Sequence, residues 1–328
     1  MRSLKFVPYN RLGVTANIIV DSVPIESTVL TLSHWPASGS PPELKADLSA
    51  EIVFNFLESD YPRPDAEAIS NKHFDEDGLV GLFALLNPQI AAEEKDFLID
   101  VATAGDFGTY KNREAAHVAF VLQAWTQPAQ SPLNSGVFQR PYDEVTSILY
   151  EELLPRFSNL FQRVHFLEQY WKDEDALLEW SENAIARGEI VIEEHPELDF
   201  AIVISPGSKE WVAARPRLAG ARWTHQVCHQ YAVHNATNCS RILVSDGKRH
   251  DFYYRYETWV ELVQRKPLSR IDLKALAARL NAGENKKIWR AEGIEDIVPH
   301  LSADARATTK LSTAAVKGAF MEFFSLST

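Results

Sequence analysis

Hydrophobic positions change character along the chain, and the change comes near Gly188. Before it, the runs at 17–20 (NIIV) and 28–32 (TVLTL) are short, nearly continuous and β-rich, which predicts strands buried on both faces. Residues 48–57 (LSAEIVFNFL) predict a helix with Asp47 as its N-cap and Glu51 in the first turn. A proline-rich connector at 61–64 leads to a short strand at 67–70, a loop at 71–78 and an apolar helix at 79–86 (LVGLFALL). The run at 97–101 (FLIDV) predicts another buried strand, followed by a small-residue turn and a helix through 115–125. Prolines and a glycine make 128–142 a long connection, and large apolar residues three and four apart predict helices over 143–187.

After Gly188 the pattern predicts strands at 190–192, 200–204, 227–233, 240–244 and 251–256, with a hairpin turn at Ser245-Asp246-Gly247. Helices at 272–281 and 312–324 close the chain. The fold class expected is α/β: a parallel-sheet N-terminal domain over 1–188, with 143–187 as a helical insert, and a smaller α+β C-terminal domain over 189–328.

Composition narrows the function classes. Of 328 residues 45% are hydrophobic and 24% charged, a globular mix that excludes collagen, coiled coil and a disordered chain. The formal charge of -12 repels a phosphate backbone, so neither duplex DNA nor an anionic membrane is expected as a partner. A small phosphorylated ligand stays open, because a divalent metal reverses the local sign. Two cysteines, Cys228 and Cys239, are too few for a disulfide scaffold or a Cys-rich zinc site. With no signal-type start and no long apolar run, a cytoplasmic location is expected. A homodimer stays open.

The sharpest chemical feature is His73-Phe74-Asp75-Glu76-Asp77-Gly78, between a short strand and a buried helix. Open α/β sheets place their ligands at such strand ends. His73, Asp75 and Asp77 at alternate positions suit one hard or borderline cation, and Gly78 suits a tight entry into the helix. A solvated capping turn is the competing reading. A calcium hand is excluded, because the twelfth position from His73 is Ala84, where that loop needs Glu. Asp100, at the end of FLID, and Asp106, in TAGDFG, are both candidates to complete the site, and for Asp106 capping of the following helix is the competing role.

This six-residue string resembles the first motif of the DHH (Asp-His-His) phosphoesterase superfamily, His-x-Asp-x-Asp-Gly after a strand. Residues 30–57 are similar to the superfamily's eponymous segment, with His34 in place of the first His and Ser49-Ala50-Glu51-Ile52-Val53 opening the helix. Ser33 stands where the Asp would be and Trp35 where the second His would be. The two segments also occur in reversed order. The resemblance implies two domains, Mn²⁺ or Mg²⁺ held by His73, Asp75, Asp77 and Asp100 or Asp106, and catalytic roles for His34 and Asp77. It further implies hydrolysis of a small nucleotide or a short single-stranded oligonucleotide. The replacements at 33 and 35 motivate the alternative, a catalytically inactive relative that binds a ligand or protein. The chain as a whole looks more like an uncharacterised bacterial family than any named enzyme.

In the C-terminal half, His225 and His229 have helical metal-ligand spacing inside a β-rich segment, which favours structural histidines. His229 and Arg255 are the candidates for gripping a substrate phosphate, the latter inside the aromatic string 253–259 (YYRYETW), whose rings otherwise read as sheet core. Arg222, Arg241 and Arg270 are further phosphate-clamp candidates. No serine nucleophile elbow, Walker loop or dinucleotide fingerprint occurs, and nothing around Cys228 supports a thiol hydrolase.

Overall fold

A computed structural model describes residues 4–304 and 309–326; the remaining residues of the two expected domains lie outside it. The chain separates into two units, Met1–Lys172 with Val260–Lys266, and Asp173–Trp259 with Pro267–Thr328. The architecture is α/β, with a parallel sheet in the first unit and a mixed sheet in the second.

In the first unit the short strands β1 (Lys5–Phe6), β2 (Asn17–Val20), β3 (Thr28–Leu32) and β4 (Ala68–Ser70) form one parallel sheet in the order β1-β4-β2-β3. All four residues of β2 and all three of β4 are buried, as a continuous apolar run requires of a strand covered on both faces. Helices α1 (Ser49–Glu58), α2 (Glu76–Leu86), α3 (Pro88–Glu93), α4 (Lys95–Phe107) and α5 (Arg113–Thr126) follow, and then α6 (Tyr142–Leu153) and α7 (Phe157–Gln162). Their core centres on Phe83, whose ring meets Phe157 and Phe161 edge-on at 5.2 and 6.0 Å.

The expected strand at 97–101 is instead the start of α4. Leu98, Val101 and Ala102 lie three and four apart on one buried stripe, and a five-residue apolar run does not by itself separate that from a strand. Asp47 is likewise not the N-cap of α1. Leu48 holds that position, and its amide donates to Glu51 Oε2 at 3.2 Å.

Helix α8 (Glu168–Ala186) spans the junction, so the units part at 172/173 rather than at 188. Gly188 marks where the helix stops, but the second half of α8 already packs within the second unit. Leu177, Leu178 and Ser181 are buried, and Ser181 Oγ accepts the amide of His229 at 2.9 Å.

The second unit has strands β5 (Val191–His195) and β6 (Phe200–Ile204), helices α9 (Lys209–Ala214), α10 (Trp223–Val227) and α11 (Gln230–Ala236), and strands β7 (Arg241–Ser245) and β8 (His250–Tyr254). Helix α12 (Lys274–Ala282), strands β9 (Trp289–Ala291) and β10 (His300–Ala303), and helix α13 (Thr313–Ser325) complete it. The sheet order is β5-β6-β7-β8-β10-β9, with only the β6–β7 pair parallel. Phe200, Phe252, Phe320 and Phe324 pack its core against α12 and α13. The strand expected at 227–233 is replaced by the end of α10 and most of α11, whose first turn is capped by the His229 ring.

Candidate metal centre

Three adjacent parallel strands deliver the site. The chain leaves β2 at Asp21, β3 at Ser33-His34 and β4 at Asn71-Lys72-His73, all at the C-terminal edge of the sheet. The next residues supply Asp75 and Asp77 at the start of α2, and the last turn of α4 supplies Asp106.

Asp21 lies at the middle. It sits in the left-handed backbone region at φ 47°, which Asp tolerates better than most residues, and its side chain is wholly buried. Its Oδ1 is 3.3 Å from His34 Nε2 and accepts the Ser49 hydroxyl at 2.7 Å, while its Oδ2 is 3.1 Å from His73 Nε2. Asp21, His34 and Asp77 form one group of potential ligand atoms and Asp21, His73 and Asp75 another, so Asp21 belongs to both.

His34 Nδ1 lies 2.7 Å from the Asp47 carbonyl oxygen, which can only accept. Nδ1 therefore donates to that carbonyl, and Nε2 faces Asp21, Asp106 at 3.4 Å and Asp77 at 3.9 Å. A carbonyl behind one ring nitrogen and carboxylates before the other is the arrangement that orients a ligating histidine. His73 meets Asp75 Oδ2 at 2.5 Å, Trp35 packs on its ring with centroids 4.9 Å apart, and its carbonyl accepts the Tyr150 hydroxyl at 2.9 Å.

Two of the carboxylates also hold helices. Asp75 Oδ1 accepts the Gly78 amide and caps α2; Asp77 accepts the amides of Ser49 and Ala50 with its two oxygens and so caps α1. Asp100 lies apart from the cluster. Its oxygens accept the amides of Lys111 and Asn112 at the start of α5, so of the two candidates it is Asp106 that reaches His34.

Buried Glu76 adds a fifth carboxyl beside the four aspartates, of which Asp75 is half-buried, against two histidines. Burial, then the negative charge of Asp75, pushes Glu76 up to about 8, and burial with the charge of Asp21 takes Asp77 to about 7. Asp106 is driven well above the carboxylate range by burial and its acidic neighbours. For His34, burial opposes the charged form, but the hydrogen bond and charge of Asp21 outweigh it and raise the ring to about 9. For Asp21, burial likewise opposes charge and the two histidines overcome it, so this carboxyl falls below its usual range.

Carboxylate oxygens and imidazole nitrogens gathered this closely are a ligand set for a metal ion. Asp21 Oδ2 and Asp106 Oδ2 are buried and receive no hydrogen bond. Crowded buried carboxylates are costly unless protonated or balanced by positive charge.

Asp21 is the residue that sequence reading overlooks, because it carries no motif of its own. The available signal is positional: a carboxylate directly at the tip of a buried β-run, like the histidines just beyond the next two runs.

The second unit holds another group, Glu174, His225 and His229. Both ring Nε2 atoms face Glu174 Oε2, at 3.0 and 3.2 Å. Here Nδ1 accepts rather than donates: His229 Nδ1 takes the Tyr231 amide at 3.0 Å and His225 Nδ1 the Gln230 amide at 3.4 Å, so each ring presents Nε2–H to the carboxylate. This is a hydrogen-bonded clasp between α8 and the α10–α11 pair. The His229 ring is wholly buried in it, which does not leave it facing a substrate. Arg255 is also buried, donating to Thr237 O and paired with Glu257 at 2.5 Å, so it too is committed internally. Cys228 is buried and its thiol is pushed up to about 12, which leaves it inert.

A model for a family of unknown function, DUF6687, matches residues 2–317. The chain belongs to that family. Comparison with curated proteins and with solved structures gave no match. In this DUF6687 member, no helix among the described residues is long and apolar enough to cross a membrane.

Proposed function

We propose that the first unit is a metal-dependent phosphoesterase-like hydrolase, acting on a small nucleotide or a short single-stranded oligonucleotide. One observation carries this reading: three neighbouring strand ends bring Asp21, His34 and His73 into one buried cluster with Asp75, Asp77 and Asp106. The substrate class rests on the resemblance to DHH phosphoesterases.

Asp21, shared by both ligand groups, would hold Mn²⁺ or Mg²⁺ with His34, His73, Asp75 and Asp77, with Asp106 beside His34. The bound cation would supply positive charge for a phosphoryl oxygen and lower the pKa of a nearby water. The chain itself provides orientation. The Asp47 carbonyl orients the His34 ring, and the Tyr150 hydroxyl holds the backbone at His73. Asp77 braces α1, whose first-turn Ser49 positions Asp21 in turn. Because Asp77 caps a core helix, its replacement would disturb the fold as well as the site.

Asp21→Asn is the cleaner test. Elemental analysis after Mn²⁺ loading is expected to find at least one equivalent on the native chain and none on this variant, with Asp100→Asn like the native chain. Equal metal content in the native chain and Asp21→Asn would end this assignment.

A second reading is supported by Trp35, which packs on His73 where the resemblance implies a second histidine. On that reading the unit binds metal and nucleotide without turnover. Hydrolysis of a generic phosphodiester that depends on Mn²⁺ and on Asp21 separates the two.

A further inference from the structure

The second unit carries a cavity of about 460 Å³ whose lining includes Arg222, Arg249 and Arg290. Among the described residues, none of these three side chains makes an ion pair or a hydrogen bond. Other guanidinium groups of the unit are engaged, Arg241 and Arg270 on backbone carbonyls, Arg255 on Glu257 and Arg279 on Glu322, while Arg215 and Arg217 lie outside this cavity. In a chain of formal charge -12, three unspent arginines around one concavity are a local reversal of sign.

The cavity floor is built into the sheet. Ser302 of β10 lies opposite Asp251 of β8 on one side and Arg290 of β9 on the other, so this row shares one face across three strands. Arg249 comes from the β7–β8 turn and Arg222 from the residue before α10, so the guanidinium groups approach from three separate segments. Guanidinium forks from three directions match the several oxygens of a phosphate better than the two oxygens of a carboxylate. Asp251, which His300 Nδ1 holds at 3.0 Å, and Asp304 also line the cavity, so it presents acceptors as well as donors. The volume exceeds what a lone anion fills, and Trp223 adds an aromatic wall.

We infer that this cavity binds the phosphate ester of a small polyol. The arginines engage the phosphate; Ser302 and the two carboxylates take the hydroxyl groups. The site lies wholly within the second unit and uses no residue of the acidic cluster.

Ribose 5-phosphate titrated into the metal-stripped full chain by calorimetry tests the inference. The expected result is saturable binding, with Kd raised about tenfold in Arg249→Gln and in Arg290→Gln, the loss of one charge-assisted contact. Arg279→Gln, an exposed arginine outside the cavity, and Asp21→Asn should bind like the native chain. Absence of binding, or equal affinity in the arginine variants, would overturn the inference. So would loss of binding in Asp21→Asn, because the phosphate would then lie at the acidic cluster. Absence of metal from the first unit would leave the inference standing.

Discussion

Gly78 is needed for space. A Cβ there would lie 2.1 Å from Asn71 Nδ2 and 2.6 Å from the Tyr150 hydroxyl, which holds the His73 carbonyl. Gly105 is equally constrained, since a Cβ would fall 2.5 Å from Glu76 Cβ where α4 passes α2 just before Asp106. Gly78→Ala should therefore cost about 1–3 kcal/mol in urea unfolding, the usual penalty for overpacking. It should also weaken Mn²⁺ binding by moving His73; a neutral effect on both would show that Tyr150 yields without consequence. Single residues were unevenly legible. His73, Asp75 and Asp77 stand out because their spacing is local. Asp21 and Asp106 reach the same place from segments far apart in sequence, one from the end of β2 and the other from the last turn of α4.

Among the elements, α8 depends on its clasp. Burial raises Glu174, but hydrogen bonds from His225 and His229 outweigh it and bring the carboxyl down to about 2. A carboxyl whose folded pKa lies below its ordinary 4.5 stabilises the fold above that pH, and the contribution is lost as pH falls from about 4.5 to 2. Glu174→Gln should lower stability by about 1–2 kcal/mol at neutral pH and flatten the acid limb of the stability curve over that range. An unchanged limb would mean that another group dominates it. Strands β2, β3, β6 and β7 could be read from composition, since β-rich runs bounded by turn residues have few alternatives. FLIDV and the segment 227–233 could not. Each is a short apolar stretch that tertiary packing made helical, with the His229 ring capping α11, and a run this short does not by itself decide between helix and strand. Strands β9 and β10 were missed because each is only three or four residues long, β10 taking its register from β8 and β9 from β10.

For the molecule as a whole, one short stretch departs from chain order. Residues 260–266 belong to the first unit although 173–259 lie in the second. The Glu261 amide donates to the His34 carbonyl at 2.8 Å, and its carboxylate pairs with Lys45 at 2.6 Å. Asp47, whose carbonyl orients His34, accepts the amides of Val263 and Gln264 on its side chain. Nothing in the sequence marks this strap, because its contacts are mostly to backbone groups and could be made by many residues. Asp47→Ala should release it at a cost of about 1 kcal/mol and speed hydrogen exchange at Val263 and Gln264. Protection unchanged at both amides would mean that the strap is held by Glu261 alone.

The strap also bears on the order in which the protein is made. Synthesis runs from the N-terminus, and units tend to fold as they emerge. Every side chain of the acidic cluster has been added by residue 106, and the first continuous stretch of their unit ends at 172. Yet the backbone clamp on His34 and Asp47 does not exist until residue 266 has been added, after much of the second unit. A nascent chain halted between these points would display the cluster without its clamp, so the mature geometry around His34 is a late product of translation.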